Sequence, residues 1–278
     1  MRKCIVLILL CWSWNVFAEE LQQDSISYKF QLKGIGGGMG VIDFLAPTTY
    51  GSFILTSNKS EYLQHDGRVS TKNHYNNILF GRRRSSNSSD QYDNSDLILS
   101  YQYDFILNKR HALNLSQSFK KQLDISVGWA YWGAFGTDIK LGNTNNMLYY
   151  NLNNSLGFSV GLEKKLTIKG TQFYIFNETT IPFVGIYLGS EYSSSLPYFI
   201  AEKDASLWEA LHIGSFGANF QIHNDLNIDF KLKAKKKRKS RIVRIRYSMD
   251  YMNLGLNNNT KHRMMHAITI GYTLNWGK

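Results

Sequence analysis

Apolar and polar side chains alternate with a period of two along most of this chain, and the alternation is cleanest near its end. From His266 to Trp276 the even positions are His266, Ile268, Ile270, Tyr272, Leu274 and Trp276, against Ala267, Thr269, Gly271, Thr273 and Asn275. Successive side chains of a strand point to opposite faces, so such a segment presents one apolar and one small, polar face. The segment before it repeats the pattern, with Val243, Ile245, Tyr247, Met249 and Tyr251 opposed to Arg244, Arg246, Ser248 and Asp250. Further copies are Leu226–Lys233, Leu148–Leu162, Leu123–Tyr131 and Leu97–Leu107. Weaker ones are Ser25–Gly34, Ser52–Tyr62 and Thr71–Arg82. Thr171–Leu188 is strand-like, but Pro182 and aromatics on both parities leave its phase open.

These segments are long for a soluble sandwich and suit strands that cross a bilayer at a tilt. The spacing predicts an all-β fold, a transmembrane antiparallel up-and-down β-barrel of about ten strands. Twelve are reached if the segments after Lys109 and around His212 also pair. With the first strand rising from the periplasm, the long polar connections Ser85–Ser95, Thr137–Asn146 and Gly189–Gly217 are external. The shorter Leu63–Val69, Glu163–Gly170 and Ala234–Ser240 are internal, whereas Asn108–Lys121 is longer than an internal turn needs.

The N-terminus supports export. Arg2 and Lys3 precede the apolar run Ile5–Leu10, and Val16-Phe17-Ala18 suits a signal peptidase, so residues 1–18 read as a cleaved signal peptide and 19–278 as one barrel domain. Leu10 before Cys11 argues against a lipidated cysteine. Cys4 and Cys11 both lie in the leader, which leaves the mature chain without disulfide, thiol nucleophile or cysteine-bound metal. No later apolar run approaches the ~20 residues of a membrane helix, so a membrane location requires a closed barrel.

Several stretches resemble a family of uncharacterised outer-membrane barrel proteins of Bacteroidetes bacteria. They are Gly38–Gly51, with Asp43-Phe-Leu-Ala-Pro47 and Tyr50-Gly51; Ile181-Pro-Phe-Val-Gly185 followed by Tyr192; and the Asn-rich Leu254–His262 before His266. The resemblance implies a barrel in the cell outer membrane, delivered by the barrel-assembly machinery, and carries no activity. The chain ends Trp276-Gly277-Lys278, two residues past the aromatic with which many such barrels terminate.

Composition agrees: 17 Tyr, 16 Phe and 6 Trp stand against 3 Pro. Without Arg2 and Lys3 the 32 basic residues become 30 against 21 acidic, a net of +9 that favours anionic partners. For an exported barrel these are outer-membrane lipid and lipopolysaccharide rather than nucleic acid. Arg82, Arg83 and Arg84, read as the start of an external loop, are candidates for lipopolysaccharide phosphates. The run Lys235–Lys239 reads as a solvated periplasmic turn.

On the inward parity the alternation places Lys29, Lys33, Asp104, Asp124, Asp229, Lys231, Lys233, Arg244, Arg246 and Asp250. In a narrow barrel opposite charges pair and fill the interior. The expected function is therefore a structural or binding component with a filled lumen and recognition by external loops, without cofactor or specific ligand and not an enzyme. The alternatives are a narrow pore for small solutes, or an outer-membrane lipid hydrolase using His266 with a serine of Ser193–Ser195. Gly34–Gly40 lacks the third glycine and following helix of a dinucleotide loop, and the seven His show no metal-ligand spacing.

Overall fold

Alternation of this length leaves the chain one economical arrangement, in which every strand pairs on both edges and the polar face turns inward. The computed structural model describes residues 26–41, 48–85, 97–113, 123–141, 148–168, 170–189, 211–215, 219–232, 241–256 and 259–276. The eleven strands among them are β1 (Ile26–Val41), β2 (Thr48–His65), β3 (Arg68–Ser85), β4 (Leu97–Ala112), β5 (Asp124–Leu141), β6 (Leu148–Ile168), β7 (Thr171–Gly189), β8 (Leu211–Ser215), β9 (Asn219–Leu232), β10 (Arg241–Leu256) and β11 (Asn259–Trp276). Apart from β8, which pairs only with β7, each strand pairs antiparallel with the next, β7 with β9, and β1 closes on β11. The short β8 and the longer β9 share one edge of β7, so eleven segments make a closed barrel of ten positions. The twelve-strand count is thereby corrected. The segment around His212 does pair, but as a continuation of the β9 position, while residues 109–112 complete β4.

The proposed leader, the run at 235–239, Lys233, Ser193–Ser195 and Asp43–Pro47 lie outside the described residues.

One end of the barrel carries the tight turns. Asp66 and Gly67, both with positive φ (46° and 72°), join β2 to β3, and Gly170 (φ 76°) sits between β6 and β7. The connections 42–47, 86–96, 142–147 and 190–210 all leave from the opposite, loop end. Following direct partners round the barrel from Tyr187 through Asn153, Ala134, Asp104, Tyr75, Asn58, Leu32, Gly271, Arg244 and Asp229 returns to β7 at Tyr174. The stagger is 187 − 174 = 13 residues over ten positions, slightly more than one per strand, as tilted barrel strands require.

The unresolved phase of β7 has a structural cause. Phe176, Glu178, Thr180 and Pro182 are buried, but beyond a register shift opposite Leu156/Gly157 the buried residues become Gly185 and Tyr187. An extra residue at Phe183 exchanges the faces of the strand, as a β-bulge does. The same place separates the β9 pairing, which ends at Thr180↔His223, from the β8 pairing, which begins at Val184↔Ser215.

Outward, the register sets Leu226, Tyr247, Ile268, Ile35, Leu55, Ile78 and Tyr101 side by side across β9, β10, β11 and β1–β4, and all seven are exposed. Water would not stabilise so continuous an apolar belt; lipid does. Outward polar groups within it bond one another: His74 with Tyr103 (2.7 Å), Tyr101 to Asn76 (3.0 Å), and Tyr131 to Asn154 (2.5 Å). No helix among the described residues is long and apolar enough to cross a membrane.

At the closing seam, β1 and β11 approach so closely that a Cβ on Gly34 would sit 1.9 Å from the Ile268 carbonyl oxygen, and one on Gly271 1.9 Å from that of Gln31. Gly34→Val and Gly271→Val should therefore each cost about 2–3 kcal/mol or prevent closure. The loss should register as a lower urea midpoint, or as disappearance of the fast-migrating unboiled band on a gel.

Candidate functional site

The inward parity delivers charged side chains into a space that bulk water does not reach. Buried there are Arg110, Arg244, Arg246, Arg263 and His223, with Asp104, Glu163, Glu178, Asp225, Asp229 and Asp250. Such groups are tolerated only when paired and hydrogen-bonded.

Nearest the turn end, Arg244 on β10 donates twice to its cross-strand neighbour Asp229 on β9, Nε–Oδ1 and Nη2–Oδ2 both at 2.7 Å. Its guanidinium lies 3.8 Å from the ring centroid of Phe30 on β1. Opposite, Arg110 on β4 forms a short ion pair with Glu178 on β7, its guanidinium 5.0 Å from the Phe176 ring centroid. Glu178 also accepts from Thr71 (2.6 Å) and Asn73 (3.2 Å) on β3, so this pair ties together strands on opposite walls. Tyr174 donates to Glu163 beside Tyr62.

One level toward the loop end, Arg246 donates to Asn227 (2.7 Å), Ser60 (2.8 Å) and Asn73 (3.2 Å) and lies 3.5 Å from Asp225. Asp225 accepts short bonds from Tyr75 and, at 2.6 Å, from Ser248. His223 stands above it with Nδ1 2.5 Å from Asp250 and Nε2 3.2 Å from Asp225 and 3.0 Å from the Tyr75 hydroxyl. Carboxylates thus face both ring nitrogens of His223. Trp132 packs edge-on to His223 and donates to Asp104 (3.1 Å), which also accepts from Gln102 (2.6 Å). The gap between Asp250, Tyr75, Asn77, Thr56 and Met265 is a cavity of about 10 Å³, the room of one water.

Unpartnered polar atoms occur toward the turn end of this plug, at Arg110 Nε and Nη2 and Glu163 Oε1 among the described residues, and four more gather at its loop-end face. Gln102, Asn153, Gln221 and Arg263, from β4, β6, β9 and β11, are all buried, and each keeps a polar atom without a partner among the described residues: Gln102 Oε1, Asn153 Oδ1, Gln221 Nε2 and Arg263 Nε. Register and stagger put them within about one turn of the barrel's pleat of one another, beside Met252 and Tyr187.

Of the residues expected inside, Asp104, Asp229, Arg244, Arg246 and Asp250 are buried in this network. Asp124 and Lys231 share the inward parity but are exposed at the turn end of their strands. Lys29 and Lys33 are not inside. They lie on the outer face, where Lys29 pairs with Glu61 at 2.9 Å. Phe30 and Leu32 take the interior instead, because Ile35 and Met39, on the parity of Lys33, belong to the outer belt. Arg82, Arg83 and Arg84 do not begin a loop: they are strand residues of β3, opposite Gly51, Tyr50 and Thr49, and their side chains fall outside the described set. His266 faces outward and bonds the Tyr247 hydroxyl at 2.5 Å, while the serines expected beside it, Ser193–Ser195, lie outside the described residues.

Arg110, Glu178, His223, Asp225 and Arg263 escaped the sequence reading. Arg110 continues the parity of Asp104 beyond Leu107, and His223 and Asp225 continue that of Asp229 before Leu226. Longer strands would have included them.

A family model matches residues 4–276. The chain belongs to that family, described as protein of unknown function (DUF3316). No curated protein matches the sequence. Among solved structures the DUF3316 chain is similar to the outer membrane protease OmpT of Escherichia coli, at 8% identity and a TM-score of 0.50, covering 92% of this chain and 98% of that one. It is also matched to the translocator domain of the autotransporter NalP of Neisseria meningitidis, at 7% identity and a TM-score of 0.33, over 98% of this chain and 95% of that domain. At these identities the likeness to OmpT establishes the outer-membrane barrel fold alone.

Removing Glu178 would leave Arg110 charged and dry. Glu178→Ala should destabilise the barrel by about 3–5 kcal/mol in urea titrations. The double change Arg110→Met with Glu178→Leu should recover most of the loss, because the desolvated charge goes with its partner.

Proposed function

We propose that the protein is a sealed barrel of the cell outer membrane, with its turn end in the periplasm, that serves as a structural or binding component and meets partners at its loop end. The observation that carries this reading is the continuous plug. From Arg244–Asp229 and Arg110–Glu178 up to Gln102 and Arg263, buried charged and polar side chains occupy successive levels of the lumen among the described residues, many of them bonded across the barrel. A pore for small solutes needs an open path through those levels. A hydrolase needs a nucleophile beside its histidine, whereas His266 is engaged by Tyr247 on the lipid face.

The loop-end ring of unpartnered polar atoms supports placing recognition on that side. Lipopolysaccharide is the corresponding lipid partner for Arg82, Arg83 and Arg84, and the barrel-assembly machinery the partner in biogenesis.

Two measurements test the proposal. Outer-membrane fractions should contain a band that migrates faster unboiled than boiled. In planar bilayers the purified protein should insert without stepwise conductance, whereas Arg110→Gly combined with Glu178→Gly, which excavates the plug, should raise the current. Steady unitary conductance from the unaltered protein would overturn the sealed-barrel reading.

A further inference from the structure

The polar ring at the loop end of the plug is built from two opposite walls. Arg263 on β11 is directly opposite Met252 on β10, and Met252 is directly opposite Gln221 on β9, so these three lie in one row. At the end of the row Gln221 reaches past β7 to β6, where its Oε1 accepts from Asn153 Nδ2 at 2.9 Å. Asn153 is in turn directly opposite Tyr187 on β7. Gln102 faces the row from β4, five positions from β10 in the barrel of ten, and donates its Nε2 to Asp104 at 2.6 Å. All of these side chains are buried, and Tyr187 packs with Met252.

What the ring leaves open is a balanced set. Gln102 Oε1 and Asn153 Oδ1 are acceptors, Gln221 Nε2 and Arg263 Nε are donors, and none has a partner among the described residues. The balance does not depend on how the amides are turned. A carboxylate only accepts, so Gln102 must give its amino group to Asp104 and keep its oxygen free. Turning both members of the Asn153–Gln221 pair exchanges their roles and still leaves one donor and one acceptor, and an arginine Nε only donates. A cation would find the nearby carboxylates engaged, Asp104 by Gln102 and Trp132 and Asp250 by His223. An anion would meet two acceptor oxygens beside its donors, and the charge of Arg263 already acts on Asp104. A hydroxyl donates and accepts at one atom, which suits the adjacent donor and acceptor of the amide pair. A peptide amide offers the two from different atoms on opposite edges.

We infer that this ring is a recognition subsite for a neutral sugar residue. Neighbouring hydroxyls of the sugar bond the Asn153–Gln221 pair, Arg263 Nε and Gln102 Oε1, while Tyr187 and Met252 give its C–H face apolar surface. A barrel that only had to be sealed would be better served by apolar side chains at 153 and 221, since each unmatched buried atom costs stability. The inference rests on the loop-end recognition proposed above and names its ligand, and its test is separable from that reading.

The full chain, folded in detergent, would be titrated in a calorimeter with glucose, galactose, mannose, arabinose, maltose and lactose, and with glucuronate and a neutral tripeptide for comparison. At least one neutral saccharide should bind, about tenfold more tightly than glucuronate or the peptide. Asn153→Leu combined with Gln221→Leu should abolish that binding while leaving the urea midpoint unchanged or raised, because both partners of a buried bond leave together. Arg263→Lys, which keeps the charge beside Asp104 but loses the Nε donor, should weaken binding about tenfold and provides a readout if the double variant folds poorly. Lys164→Gln/Lys165→Gln, at the turn end, should bind as the unaltered chain does. Competition by the oligosaccharide released from lipopolysaccharide would assign the sugar to an envelope glycan, and its failure to compete would assign it to a free solute; both support the subsite. Unitary conductance with saccharide binding intact would count against the sealed barrel alone. No binding of any neutral saccharide, binding indifferent to the ring, or a preference for the tripeptide overturns the inference; the first two leave bridging water to satisfy these atoms.

Discussion

Arg110, Arg244, Arg246 and His223 point into a space too narrow for bulk water, and the barrel is arranged so that each meets a carboxylate there. The partners rarely come from the same strand. Arg110 of β4 reaches Glu178 of β7, and Arg246 of β10 reaches Asp225 of β9 together with Asn73 and Ser60 of β3 and β2. A slip of one residue in any of these strands would turn its charges to the lipid and its apolar side chains to the plug. The ion pairs therefore act less as a source of net stability than as a lock on register, since each mispaired alternative leaves a charge stranded in a low-dielectric interior.

This inverts the usual relation between burial and polarity. The buried side chains are mostly Asn, Ser, Thr, Gln, Asp and Arg, whereas Ile35, Phe53, Leu55, Ile268 and Ile270 are roughly half exposed. Both facts follow from one alternation, which turns the apolar face outward, as in the outer-membrane barrels the fold resembles, and leaves the polar face only itself to bond. Hydrophobic contacts inside are correspondingly few: Ile54, Leu79 and Met265 form one small cluster, and Tyr75, Ile106 and Trp132 another, around which the polar groups are threaded. Tyr75 and Trp132 belong to both systems, since their rings pack while their polar tips bond Asp225 and Asp104.

Much of this was legible in the residues before any coordinates. The barrel class, the ten positions, and the inward set Asp104, Asp229, Arg244, Arg246 and Asp250 follow from period-two alternation. Three things did not. The phase of β7 was hidden by a bulge, which no alternation rule can place when aromatics occupy both parities around Pro182. Strand ends were set too short, so Arg110, His223 and Asp225 fell into presumed connections although they continue the same parity. On β1 the apolar pair Phe30 and Leu32 resembles a lipid face, and only the neighbouring strands reveal that Phe30 is needed beneath Arg244. In each case the deciding information is the identity of the partner strand, which local pattern does not contain.

A filled lumen also directs attention to where chemistry remains available. Cross-wall bonds such as Glu178 to Thr71 and His223 to Tyr75 span the interior, so a ligand entering the plug would have to replace several buried bonds at once. The loop-end face brings together four groups, Gln102, Asn153, Gln221 and Arg263, with bonding capacity that no described residue uses. Unspent polar capacity costs the fold something, and the loop end, where four strands supply it together, is where interaction with other molecules would offset that cost.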